Sequence, residues 1–247
     1  MSSANRSDQG WRYAPTVLRL PAADEAFVWR IALANVDDSD ALCLSQDERD
    51  RASRFLFLEV RRAFTQGRLF LRRTLARVLD KDPQQLAFGS EGNGKPTLVG
   101  SEIAFNLSHS GGEAVVVVAG SGAVGIDIEV VSEERDLLGL AQRYFAPEEV
   151  ARFQSLEPKE RTAAFYRCWT RKEAFIKAIG EGLSRPLDSF VVSVGPDDPP
   201  AFMRIGDDPA AVGEWRLHDL ELSAPFAGAV VTSAAVTRLT RFTLDRI

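Results

Sequence analysis

Apolar and polar positions change period several times along the chain, and each change marks an element. Residues 27–33 alternate enough for a strand. Ser45, followed three residues later by Glu48, makes a capping box that opens a helical region. Phe64, Leu71, Leu75 and Val78 recur at helical spacing, so 60–79 reads as a long amphipathic helix ended by Asp82-Pro83. Residues 89–96, with three glycines and Pro96, read as a turn-rich loop. Strands follow over 103–108, 114–119 and 123–131, with Gly120-Ser121-Gly122 as a hairpin turn between the last two. A helix begins near Ala146-Pro147-Glu148-Glu149, and a second spans 160–179 and stops at Gly180. Runs at 190–194, 202–205, 214–222 and 228–236 alternate like antiparallel strands, with no further helix. The order predicts an α+β fold, built as two similar α/β halves of about 120 residues each. No sequence repeat relates the halves.

Composition narrows the class. Hydrophobic residues at 45% and charged residues at 26% over 247 positions are those of a globular protein, not of a disordered, collagen-like or coiled-coil chain. No stretch reaches the ~20 apolar residues of a membrane span, and the first residues lack the apolar core of a secretion signal. A cytoplasmic protein with no membrane partner is expected. Two cysteines and two histidines exclude a disulfide framework and a His-rich metal site, and Cys168 falls in an apolar helical pattern that reads as packing. The net charge of −5 argues against nucleic acid as a partner. Yet between residues 45 and 80 nine arginines stand against five acidic residues. That segment is either a localised anion site or an exposed helix laced with ion pairs.

Three short runs carry chemistry. In Gly125-Ile126-Asp127-Ile128-Glu129, strand alternation puts Asp127 and Glu129 on one face, where two carboxylates repel unless a cation lies between them. A hard divalent ion with oxygen ligands would do this, and a solvated acidic edge strand is the plainer alternative. Trp169, Glu173 and Lys177 share a stripe of the following helix with Lys172 beside it, offering one carboxylate and two ammonium groups to a phosphorylated ligand. A surface Glu173–Lys177 pair is the plainer alternative there. In Phe105-Asn106-Leu107-Ser108-His109-Ser110-Gly111-Gly112 a strand ends in a turn whose amides and imidazole could meet an anion. Nucleophilic Ser/His catalysis is disfavoured, because adjacent strand side chains point apart, and His109 could equally be a structural hydrogen-bonder.

Taken in order, Gly94-Lys95-Pro96, the Phe105 to Gly111 run, Gly125-Ile126-Asp127-Ile128-Glu129 and the stretch from Trp169 through Lys172-Glu173-Ala174 and Lys177 to Gly180-Glu181-Gly182-Leu183 resemble the Sfp-type 4′-phosphopantetheinyl transferases. The motifs cover residues 94–183. The Trp169-Thr170-Arg171-Lys172-Glu173-Ala174 form is similar to the branch serving polyketide, peptide or other specialised carrier proteins. The resemblance implies a pseudo-dimeric monomer with coenzyme A in the cleft between halves at 1–121 and 122–247. It implies Mg²⁺-dependent transfer (Mn²⁺ being the alternative) of the phosphopantetheine arm of coenzyme A to a serine of an apo acyl or peptidyl carrier protein, releasing adenosine 3′,5′-bisphosphate. Asp127, Glu129 and Glu173 become the metal ligands, and Glu173, or a metal-bound water that it orients, the base toward the carrier serine. Lys172 and Lys177 become contacts of the pyrophosphate and arm, Ser108 and His109 of phosphate, and Lys95 and Pro96 the frame of the adenine. Arg51 and Arg62 are chosen for the 3′-phosphate from a segment where Arg61 and Arg68 compete. Trp169 is expected to pack. Carrier proteins are acidic helical bundles, so Arg135, Arg143 and Arg152 within 131–153 are expected to steer docking. The competing reading is a module that binds coenzyme A or a carrier without transfer; the complete carboxylate set argues against it.

Overall fold

The computed structural model describes residues 10–15, 18–37, 41–133 and 136–247. Two halves, each a 22-residue helix on a sheet, pack sheet against sheet. In the first, β2 (Glu25–Ala32), β5 (Ala104–Ser110) and β6 (Glu113–Ala119) are antiparallel in the order β2-β6-β5. Against them lies α2 (Leu58–Leu79), preceded by α1 (Gln46–Ser53) and followed by the hairpin β3 (Phe88–Glu91) and β4 (Lys95–Leu98). In the second, β7 (Val124–Val130) opens a sheet completed by β10 (Trp215–Asp219) and β11 (Phe226–Ser233), in the order β10-β11-β7. Helices α3 (Leu137–Tyr144), α4 (Pro147–Ser155) and α5 (Pro158–Ile179) and the hairpin β8 (Phe190–Val192) and β9 (Phe202–Ile205) surround it. The last strand, β12 (Arg238–Thr243), returns to the first sheet and runs parallel to β2 and to β1 (Trp11–Tyr13). The α+β class expected from the sequence is the class observed.

Strand β6 explains how the halves join. Val116 and Val118 face the core under α2, while Val115, Val117 and Ala119 face a second core shared with Ile126 and Ile128 of β7 and Val230 of β11. A strand apolar on both faces is covered on both. The expected β6–β7 hairpin is therefore not formed: β6 pairs with β2 and β5, β7 pairs with β11, and residues 120–122 carry the chain from one sheet to the other. Gly120 is needed at that crossing, since a Cβ there would lie 2.3 Å from the Ala22 carbonyl oxygen.

Other expectations shift by a turn or a strand. The Ser45 capping box is present, and α2 ends with Asp80 in the left-handed region, at φ 53°, two residues before Asp82-Pro83. Residues 89–96, read as loop, mostly form the β3–β4 hairpin, because Phe88 and Leu98 anchor its base on the first core. Helix α3 and strand β12 were not foreseen. Cys168 is buried, as its apolar helical pattern predicts, and Cys43 is buried as well. Among the described residues no helix is long and apolar enough to cross a membrane.

Candidate active site

The site grows from the seam where β5 of the first half meets β7 of the second. One edge of β5 pairs with β6; along the other, side chains replace the backbone ladder. Asn106 Oδ1 accepts the Ile126 N–H at 2.9 Å, Ser108 Oγ that of Ile128 at 3.4 Å, and Ser110 Oγ that of Val130 at 3.2 Å. Both serines then donate onward, Ser108 to Asp127 Oδ1 at 2.9 Å and Ser110 to Glu129 Oε2 at 3.0 Å. The alternation that puts Asn106, Ser108 and Ser110 on one side of β5 thus fixes the two carboxylates of β7 in register.

Helix α5 lies across β7 at a glycine. A Cβ on Gly125 would sit 2.1 Å from the Ala174 carbonyl oxygen and 2.4 Å from the Ala178 nitrogen, so only glycine admits this approach. It brings Lys177 Nζ to 2.6 Å from Asp127 Oδ1, with further donation to Ser108 Oγ at 3.2 Å. Asp127 is 3% exposed, and its Oδ2 has no hydrogen-bond partner. Glu173, half-buried one turn before Lys177, is pushed up to about 7 by burial and then by repulsion from Asp127 and Glu129, against the pull of Lys177. Among the described residues, three carboxylates and the Lys177 ammonium come together at the seam. Among the described residues no three metal-binding side chains converge into a ready-made cage. The orphaned oxygen and the all-oxygen donor set nevertheless suit a hard divalent cation.

Two hollows flank the seam. One, of 720 Å³, lies between the β3–β4 hairpin, the start of β5 and the C-terminal end of α5, and is lined by Lys95, Pro96, Phe105 and Gly180 among others. Lys95 Nζ donates to the carbonyls of Val124 at 2.9 Å and Ala178 at 2.7 Å, and burial lowers it to about 8 against the pull of Glu91. The other, of 410 Å³, has Glu173 in its wall with Arg143, Tyr144, Trp169 and Arg185. Trp169 stacks on Phe165 and meets Tyr144 edge-on, the packing role expected of it.

The expected site residues separate into three groups. Asp127, Glu129, Glu173, Lys177 and Ser108 meet at the seam, and Lys95 and Pro96 at the first hollow. His109 faces the other side of β5, exposed beside Gly67 of α2, and is lowered by partial burial and by the Lys177 charge. Lys172 is a correction. It is 0% exposed, donates to the carbonyls of Leu187 and Phe190 at 2.7 Å each, and pairs with equally buried Glu149 at 2.7 Å. With its three donors used inside the second core, it cannot reach a pyrophosphate. It is the i−1 neighbour of Glu173, and successive helical residues point about 100° apart. Arg51 and Arg62 are both exposed, Arg51 over the Phe64 ring, and neither lines the 720 Å³ hollow. Arg68 and Arg72 are tied to buried Glu48, so part of the basic segment is ion-paired helix. Arg143 and Arg152 are exposed on α3 and α4, and Arg135 lies outside the described residues. Sequence reasoning missed Asn106, Ser110 and Gly125. The period-two polar run Asn106, Ser108, Ser110 along one side of β5 was the available signal.

Two family models span most of the chain: "4'-phosphopantetheinyl transferase, N-terminal" over residues 35–122 and "4'-phosphopantetheinyl transferase superfamily" over 123–232. The chain is 39% identical to the 4'-phosphopantetheinyl transferase HetI of Nostoc sp. over 76% of its own length and 82% of the relative's. It is 34% identical to the 4'-phosphopantetheinyl transferase Sfp of Bacillus subtilis, over 62% of its own length and 68% of the relative's. A solved holo-(acyl-carrier-protein) synthase from Bacillus anthracis, in complex with CoA (3',5'-ADP), aligns at 22% identity over 45% of this chain and 94% of that one, with a TM-score of 0.37, too loose to transfer site geometry. The chain belongs to the 4′-phosphopantetheinyl transferase superfamily. It is a transferase of that class, with coenzyme A and a carrier protein as its partners.

Proposed function

We propose that the chain moves the phosphopantetheine arm of coenzyme A onto a serine hydroxyl of an apo acyl or peptidyl carrier protein, in a Mg²⁺-dependent reaction that releases adenosine 3′,5′-bisphosphate. The observation that carries this reading is Asp127: a buried carboxylate with one oxygen unpartnered, facing Glu173 and braced by Lys177. Asp127, Glu129 and Glu173 would hold the ion, with Mn²⁺ fitting the same donors. When bound, it would neutralise charge building on the departing adenosine 3′,5′-bisphosphate. Lys177 supplies a second positive charge at the same place, the kind of fixed electrostatic help that dominates phosphoryl transfer.

Glu173 is the base in this reading. It has no hydrogen bond among the described residues and lies in the wall of the 410 Å³ hollow, from which an acceptor hydroxyl could approach. His109 contacts phosphate, Lys95 and Pro96 frame the adenine in the 720 Å³ hollow, and Arg51 and Arg62 are the contacts of the 3′-phosphate; Ser108, expected to contact phosphate, is buried with its hydroxyl held by Asp127, Lys177 and the Ile128 N–H, and positions Asp127 instead. Residues 1–121 form the nucleotide side and 122–247 the metal and carrier side, with β12 crossing back. The enzyme acts as a cytoplasmic monomer on carriers of polyketide, nonribosomal peptide or fatty-acid synthesis, which dock over 131–153.

Intact-protein mass spectrometry of an apo carrier incubated with the enzyme, coenzyme A and Mg²⁺ tests this directly. The carrier should gain the mass of one phosphopantetheine arm, and the gain should vanish with EDTA. No gain on fatty-acid, polyketide and peptide carriers, despite measurable coenzyme A binding, would favour the inactive binding module.

A further inference from the structure

Exposed large apolar side chains are concentrated at one place. Leu56, Phe57, Leu58 and Val60, in the α1–α2 connection and the first turn of α2, are 92%, 73%, 74% and 47% exposed. Elsewhere such side chains stand singly, as Val99 and Met203 do, which is ordinary for a protein surface. The run is firmly seated: Phe55 packs on Phe64 with ring centres 5.3 Å apart, and the Arg51 guanidinium covers the same ring. Arg54 and Arg61 are exposed beside the ridge, with Glu59 the one acid between them. Phe64 stands one turn before Gly67, whose backbone lies against His109. At ~1.5 Å rise per residue the ridge begins roughly 10–15 Å along α2 from that imidazole.

We propose that this ridge is a docking surface for the apo carrier protein, on the nucleotide-side half and separate from the 131–153 segment; it rests on the transfer reading above. An acceptor serine can reach Glu173 only if its protein sits at the mouth of the seam. An acidic helical bundle would lay an apolar helix face on Leu56, Phe57 and Leu58 and its acidic rim on Arg54 and Arg61. A second copy of this chain fits less well. A two-fold contact would set each ridge against itself, arginine facing arginine.

The test compares wild type with Leu56→Ser/Leu58→Ser and Arg54→Glu, each checked for folding by circular dichroism. Steady-state transfer is read by mass spectrometry, and binding of a fluorescently labelled acidic apo carrier by anisotropy. The expected result is a roughly tenfold or greater rise in KM and Kd for the carrier in both variants, with KM for coenzyme A unchanged. The salt dependence of carrier binding should flatten in the arginine variant. Unchanged carrier affinity in the serine variant overturns the proposal. So does a wild-type dimer in sedimentation velocity that the serine variant dissociates, which would assign the ridge to a second copy. If wild type binds the carrier but transfers nothing, the transfer reading fails, and the anisotropy data still decide the ridge.

Discussion

Lys172 and Lys177 stand five residues apart on one helix, and in the sequence they look like two ammonium groups for one ligand. In the fold they do different work. Lys177 lies at the seam, part-exposed, bonded to Asp127 with an orphaned oxygen beside it and Glu173 held unpaired nearby. Lys172 is sealed in the second core, where Glu149 also accepts the amides of Ala146 at 2.8 Å and Val192 at 2.7 Å and so ties α4, α5 and β8 together. One environment is under-satisfied and stays available to a ligand; the other is complete and available to nothing. A satisfied buried pair contributes specificity of packing, while an under-neutralised cluster is where chemistry is built.

Substitutions at the two places should therefore fail in opposite ways. The largest effect is expected from Glu149→Ala, which leaves a buried ammonium unpaired. Urea unfolding should show a loss of about 3–5 kcal/mol. Glu149→Gln/Lys172→Met removes both charges, and its cost should fall to about 1–3 kcal/mol for the polar groups left unpaired. Next come the seam residues. Lys177→Met and Glu173→Gln should each cut transfer by about 10²–10³-fold in steady-state assays. Glu173→Gln should leave the protein as stable as wild type or slightly more so, since it relieves repulsion from Asp127 and Glu129. A Glu173→Gln protein that both transfers normally and loses stability would reverse the comparison.

Ser110→Ala sharpens it further. It removes the Val130 acceptor and the Glu129 donor together, and about a tenfold higher Mg²⁺ requirement is expected in a metal titration of the transfer rate. The smallest effect concerns Lys95. Its ammonium sits at about 8 in the fold against 10.5 in the open chain, so between those values the unfolded state binds more protons. Stability should rise as pH climbs from about 8 to about 10.5, by about 1–2 kcal/mol after discounting for partial solvent access. Lys95→Met should abolish that rise in unfolding curves taken across the range.

Much of this was legible in the sequence for identifiable reasons. Periodicity gave α2 and α5 to within two residues, because each buries one apolar face along 22 residues. The carboxylates of β7 were legible because strand alternation is strict. What failed depends on contacts between distant segments. The β6–β7 hairpin was expected because Gly120-Ser121-Gly122 resembles a turn, yet β6 is apolar on both faces and is covered face-on. Lys172 looked like Lys177 because nothing local shows that Glu149, 23 positions earlier, waits in the core. β12 could not be placed by pattern, since joining β1 and β2 is a choice made across most of the chain.

The division of labour along α5 is tested most directly by the initial rate of phosphopantetheine transfer, read by intact mass, for wild type, Lys177→Met and Glu149→Gln/Lys172→Met at a temperature where all three are folded. The paired-core variant should keep its rate within about threefold of wild type, while Lys177→Met falls about 10²-fold or more. A paired-core variant that folds yet loses transfer as completely as Lys177→Met would put Lys172 back into the reaction and contradict the account.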